Sequence, residues 1–298
     1  MTITTTTGWE AIGRHRQLLG ERVFTVDVPA IGPEEHDPLL VLHGFPTSSF
    51  DYAAVLDGLR PGRRVLLVDM LGYGLSAKPD RGYTMALQAD VAMAFVAELG
   101  IDRLSLLTHD MGDTVGGELL ARRAEGAWPV EITHRVVTNG SIYIEQAHLT
   151  DGQQLLLSLP DELLPEGMPI DVASLTQSLR DTFSAETPLV PPGWPEDPVP
   201  EAAAQVVHDE GHRLLPRLIR YIEERRANER RFTGAIETDP APLHIVWGLD
   251  DPIAVPTMVD TLVAARPDAT AVRLESVGHY PMMEAPARYL EAVLAGLG

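Results

Sequence analysis

Four polar clusters, each following an apolar run, carry residue types suited to nucleophilic and acid–base chemistry. They are "HGFPTSS" (43–49), "THDMGD" (108–113), "WGLDDP" (247–252) and "VGHYP" (277–281). "LTHDMGDTVG" (107–116) reads as the end of a buried strand, a sharp turn and the start of a helix, with Asp110 at the apex. A carboxylate is a poor nucleophile toward an acyl carbon, where it forms an anhydride. Toward an sp³ carbon it forms an alkyl ester that water can cleave. That cleavage calls for a general base, and the imidazole of His279 titrates in the right range. A further carboxylate can orient the imidazole and stabilise its charged form. Asp250 and Asp251 are both candidates.

These clusters need a scaffold that brings them together, and open α/β sheets place sites at the carboxyl ends of their strands. Five apolar runs read as buried parallel strands: 38–43, 64–69, 103–108, 134–139 and 242–247. "AVRLES" (271–276) is a further strand. "ERVFTVDVP" (21–29) alternates and is expected to start an antiparallel edge hairpin. Helical periodicity covers 84–100, closing at Gly100, then 114–126 and 286–297. Strand–helix alternation predicts an α/β fold with a doubly wound, mostly parallel sheet. The alternation breaks from 141 to 232. That stretch contains the proline-rich "PLVPPGWPEDPVP" (188–200), an irregular loop, among expected helices at 151–159, 171–183, 201–209 and 213–230. The predicted organisation is a core of 1–140 and 233–298 with a helical cap of 141–232 inserted after one core strand.

Composition narrows the function classes. The 298 residues suffice for one large domain, or for a core with an inserted subdomain. The chain has no cysteine, which removes disulfides, thiolate nucleophiles and thiolate metal sites. A formal net charge of −20 opposes binding to nucleic acid and to anionic membranes. No apolar run approaches the roughly 18 residues of a membrane span, and the N-terminal residues lack a signal-peptide pattern. A cytoplasmic enzyme is the expectation. The pattern calls for no cofactor and no metal, and it leaves monomer and homodimer equally open.

The order nucleophile, acid, histidine resembles that of the α/β-hydrolase fold, and "DMLGYGLSAKP" (69–79) is similar to a stretch common in that family. The resemblance covers nearly the whole chain. In the serine form of the elbow, Gly-x-Ser-x-Gly, serine attacks an acyl carbon. Here Thr108, Asp110 and Gly112 hold the three defining positions. An aspartate elbow resembles the epoxide hydrolase and haloalkane dehalogenase branch. "HDMGDTVGGELLARR", "NGSIY", "RYIEERRANERRFTGAI" and "GHYPMMEAP" are similar to the mesoderm-specific transcript-type hydrolases of that branch.

The resemblance implies a role for each position. Asp110 is the nucleophile, His279 the general base and, by the spacing Trp-Gly-x-x-Asp, Asp251 its orienting acid. Backbone N–H groups of Phe45 and Met111 form the oxyanion hole. His43 is structural and His109 packs. Dehalogenases cradle the halide with donors at the positions of Met111 and Phe45, and neither side chain here can donate. Trp194 remains as a partial substitute. Epoxide hydrolases protonate the ring oxygen with cap tyrosines, for which Tyr221 and Tyr143 are the candidates. The expected substrate is a small hydrophobic organic molecule, hydrolysed with water. The expected activity is epoxide opening to a diol through an ester on Asp110. The alternatives are a haloalkane dehalogenase with an atypical halide site and a non-catalytic ligand-binding relative. An esterase is disfavoured, because Ser48, Ser49 and Ser76 occupy other loops.

Overall fold

The computed structural model describes residues 3–168 and 170–298. Eight strands form one sheet in the order β1-β2-β4-β3-β5-β6-β7-β8. They are β1 (Gly13–Leu18), β2 (Glu21–Val28), β3 (Leu39–Leu42), β4 (Val65–Val68), β5 (Arg103–His109), β6 (Glu131–Thr138), β7 (Leu243–Gly248) and β8 (Thr270–Leu274). From β4 through β8 all neighbours are parallel, while β2 runs antiparallel to both β1 and β4. Every residue of β3, β4 and β7 is buried. Their unbroken apolar runs follow from helices covering both faces of a parallel sheet. The helix Met111–Ala124 packs on β3 and β5, and the helix Pro286–Leu297 packs on β6, β7 and β8.

The edge hairpin and one expected helix differ from the expectation. β2 ends the edge hairpin instead of starting it. Its partner is β1, whose sequence GRHRQL is too polar to stand out as a strand. Charge on an edge strand discourages pairing with other chains. The continuous helix expected over 213–230 is broken into Leu215–Leu218, Tyr221–Ala227 and Glu229–Thr238. Asn228 leaves helical geometry between the last two, at φ −123°.

Among the described residues, the chain between β6 and β7 is helix, turn and loop. Its longer helices are Asp151–Ser158, Val172–Arg180, Val199–Val207 and Glu229–Thr238, and the last crosses the expected boundary at 232. Residues of the first two line a cavity that also reaches Phe45 and His279, so this segment covers the carboxyl ends of the strands. No helix among the described residues is long and apolar enough to cross a membrane.

Candidate active site

Asp110 stands between β5 and the helix Met111–Ala124 with φ 50° and ψ −113°. A non-glycine residue in that region is strained, and such strain clusters at functional turns. Its own N–H donates to Thr138 O at 3.1 Å, fixing the turn against β6. Two glycines allow the close approach. A Cβ on Gly112 would stand 2.4 Å from the Leu42 carbonyl, and one on Gly44 would stand 2.8 Å from the Asp110 Cβ. The loop after β3 therefore closes directly over the elbow. There the Phe45 N–H donates to Asp110 Oδ2 at 2.9 Å. The Met111 N–H opens the helix, where amides lack an intrahelical acceptor.

His279 Nδ1 lies 2.7 Å from Asp251 Oδ2, with both side chains buried. Asp251 Oδ2 also accepts from Asn139 Nδ2 at 2.7 Å, and Oδ1 accepts from the Ile253 and Ala254 N–H groups at 2.7 and 2.9 Å. This carboxylate has no freedom to turn. Asp250 faces elsewhere, accepting from the Ser184 hydroxyl at 2.5 Å. Burial opposes charge on His279, but the Asp251 carboxylate, its hydrogen bond and the charge of Asp110 outweigh it and raise the imidazole to about 9.

The two neighbouring histidines are scaffolding. His43 Nδ1 meets Gly44 O at 2.8 Å and its Nε2 accepts from Met70 N–H at 3.0 Å, which sets the tautomer. Burial lowers its pKa. His109 Nε2 meets the His279 carbonyl at 2.8 Å, and its ring lies 5.1 Å from those of His279 and Tyr280. Burial, the charge of His279 and other smaller effects bring His109 to about 3, so it stays neutral.

Tyr221 and Tyr143, proposed as a pair, part company. Tyr221 is buried with its ring 5.7 Å from that of Phe45. Its hydroxyl makes no hydrogen bond among the described residues, and burial and the Asp110 charge push its pKa up. Tyr143 does not reach the site. Its hydroxyl donates to Glu237 at 2.7 Å, beside a surface groove of about 810 Å³ away from the triad. Tyr143 follows the end of β6 closely, and its hydroxyl is held by the helix Glu229–Thr238.

Three of the four indole N–H groups are engaged. Trp194 donates to Met283 O, Trp9 to Ser49 Oγ and Trp247 to Ala254 O, at 3.1, 3.2 and 2.7 Å. Trp128 lines a separate groove beside Asp90 and Pro129. Trp194 therefore has no donor left for an anion.

Several residues at the site escaped the sequence reading. Asn139, at φ 43°, ties the acid loop to β6 through Asp251 and through the Gly248 N–H at 2.9 Å. The Tyr280 hydroxyl holds Phe45 O at 3.1 Å. Glu284 accepts from the Gly278 and Tyr280 N–H groups, both at 2.9 Å, bracketing His279. Arg225 is buried beside the elbow. Of these, Tyr280 lies in the "VGHYP" cluster and Asn139 in "NGS" at a strand end, where site residues are expected; Glu284 and Arg225 stood in no such place.

The model of the Alpha/beta hydrolase family matches residues 39–292. The chain belongs to that family. It is 35% identical over 303 residues to LipZ of Mycobacterium tuberculosis, across 99% of each chain. It is 31% identical over 299 residues to the mesoderm-specific transcript homolog protein of Bos taurus, across 96% of this chain and 86% of that one. It is 28% identical over 275 residues to haloalkane dehalogenase 2 of Mycobacterium tuberculosis, across 88% of each. As a hydrolase of this fold, the chain carries aspartate at the elbow.

Proposed function

We propose that this hydrolase opens an epoxide to a diol through an alkyl ester on Asp110. The observation that carries the reading is the hydroxyl of Tyr221. It belongs to a buried residue, has no hydrogen-bond partner among the described residues, and its ring packs on that of Phe45, in the loop that binds the Asp110 carboxylate. Asp110 Oδ2 accepts the Phe45 N–H, so Oδ1 is the attacking atom. Attack forms the C–Oδ1 bond and breaks a ring C–O bond, and the ring oxygen takes the Tyr221 proton. Esterification removes the Asp110 charge that helps hold a proton on His279, so the imidazole releases its Nε2 proton to solvent and, with Nδ1 engaged by Asp251, presents Nε2 to water. His279 takes a proton as water adds to the ester carbonyl carbon, and the N–H groups of Phe45 and Met111 hold the oxyanion at Oδ2. Collapse breaks the Cγ–Oδ1 bond, the leaving diol oxygen takes the proton from His279, and the carboxyl proton left on Asp110 returns through solvent to the Tyr221 phenolate.

The substrate class follows from the cavity. Its volume is about 260 Å³, and apart from His279 no acidic or basic residue lines it. Leu155, Leu156, Leu175, Leu179, Leu215 and Ile253 supply apolar surface to its wall. In a chain of net charge −20, an uncharged path to the base suits an uncharged, lipophilic substrate.

The relation to a haloalkane dehalogenase favours a second reading, halide displacement by the same aspartate. Against it stands the lack of a free indole donor. The test is to incubate the His279→Ala variant, which attacks but does not hydrolyse, with epoxides and haloalkanes and to weigh the intact protein. A gain equal to a whole epoxide supports the reading. A gain equal to a haloalkane minus HX replaces it with dehalogenation. No adduct on folded protein refutes both.

A further inference from the structure

We infer that Arg225 is a positioning residue that seats Tyr221 over the elbow and shares the negative charge its phenol acquires when the epoxide opens. The inference rests on the proposed function and extends it to a residue that nothing in the sequence marked.

Arg225 is 1% exposed, yet it forms no ion pair among the described residues. Burying an unpaired guanidinium is costly, and its polar contacts must be accounted for. Its Nε donates to Thr114 Oγ1 and one terminal nitrogen donates to Ser141 O, both at 2.7 Å. The other terminal nitrogen reaches the Asp110 backbone carbonyl at 3.4 Å. These contacts join the helix Tyr221–Ala227 to the elbow helix, to the exit of β6 and to the nucleophile's own backbone. The guanidinium carbon lies 5.0 Å from the centroid of the Tyr221 ring. Tyr221 and Arg225 are four residues apart on one helix, so they share a face. One side chain thus fixes the acid relative to the nucleophile and holds a cation against the acid's π face.

The charge flow of ring opening makes this placement useful. Before attack, the negative charge is on the Asp110 carboxylate. The new C–O bond neutralises it, the cleaved C–O electron pair goes to the ring oxygen, and that oxygen removes the Tyr221 proton. The charge ends on the Tyr221 phenolate, whose ring faces Arg225. A cation over an aromatic face interacts more strongly once the ring is anionic, and the effect is larger in a desolvated site. Arg225 is therefore better matched to the transition state than to the resting enzyme.

The test compares two electrophiles in the His279→Ala background, by single-turnover alkylation followed by intact and peptide mass. Styrene oxide needs a proton for its leaving oxygen; benzyl bromide, of similar size, releases bromide without one. With Arg225→Met, alkylation of Asp110 by styrene oxide is expected to slow ~10–100-fold, and that by benzyl bromide to change less than ~3-fold. Arg225→Lys keeps the cation without the planar fork and should recover part of the lost rate. Tyr221→Phe should reproduce the selective loss, and adding Arg225→Met to it should slow the reaction little further. Final adduct amplitude reports the folded fraction, so a destabilised variant still yields a rate. Equal slowing with both electrophiles, or full additivity with Tyr221→Phe, overturns the inference. An unchanged styrene oxide rate in Tyr221→Phe, with benzyl bromide still modifying Asp110, overturns the role of Tyr221 and this inference with it. No adduct from either electrophile overturns the ester mechanism itself.

Discussion

On the proposed mechanism, Asp251→Asn isolates the second half-reaction, hydrolysis of the ester. In the structure the Asp251 carboxylate accepts from His279 Nδ1, Asn139 Nδ2, Ile253 N and Ala254 N. An asparagine carbonyl can keep the two backbone donors, but its NH₂ then points at His279 Nδ1 and at the Asn139 NH₂. His279 must accept at Nδ1 and carry its proton on Nε2, where it cannot take one from water. Ester hydrolysis should fall ~10³–10⁴-fold, as expected for a triad histidine held in the wrong tautomer. Ester formation uses Asp110 and Tyr221 and should stay within ~3-fold. A rapid-quench time course of intact mass should therefore show the ester accumulating.

The same substitution has a stability signature. Burial opposes charge on His279, and the Asp251 and Asp110 carboxylates overcome it, holding the folded pKa at about 9 against an ordinary 6.5. A raised folded pKa means that folding favours the protonated imidazole. The stabilisation is fully present below about pH 6.5 and disappears as pH rises through about 9. The difference corresponds to about 3 kcal/mol. With the Asp251 charge gone and burial retained, the imidazole falls below 6.5 and this contribution is lost. Urea denaturation should show the wild type exceeding the variant by most at pH 6, with a gap narrowing by about 3 kcal/mol toward pH 10. A gap independent of pH, or hydrolysis slowed less than ~10-fold, would refute the reasoning.

Three further outcomes are expected. Tyr143→Phe removes only the bond to Glu237 and should leave steady-state turnover within ~2-fold, whereas a loss above ~10-fold would return Tyr143 to the site. Asn139→Ala strips one donor from Asp251 and leaves the Gly248 N–H without its acceptor. Chemical denaturation should show a loss of about 1–3 kcal/mol, and single-turnover kinetics should show slower ester hydrolysis than formation. Gly112→Ala drives a Cβ to 2.4 Å from the Leu42 carbonyl. Because backbone must move, a thermal melt should show a loss of at least about 2–3 kcal/mol with activity largely gone; a native-like melt would contradict the close approach.

How much was legible depended on the range of the physics. The buried strands announced themselves because β3, β4 and β7 are covered on both faces and consist of apolar runs. The polar β1 did not, since an edge strand has only one neighbour and gains from charge. Pro216 and Asn228 carried too weak a signal against the helical periodicity around them to reveal the breaks between 213 and 230.

By itself the sequence determined the strand–helix order, the aspartate at the elbow and the succession of Asp110, the Asp250–Asp251 pair and His279. These rest on periodicity and turn chemistry acting over a few residues. Tertiary structure decided between partners that lie far apart in the chain. It turned Asp251, not Asp250, toward His279, sent Tyr143 to Glu237 and Tyr221 to Phe45, and closed the Trp194 indole on Met283 O. It also brought Arg225 to Asp110, 115 positions away. Each choice depends on which side chains the packed helices leave facing each other, and no local pattern encodes that.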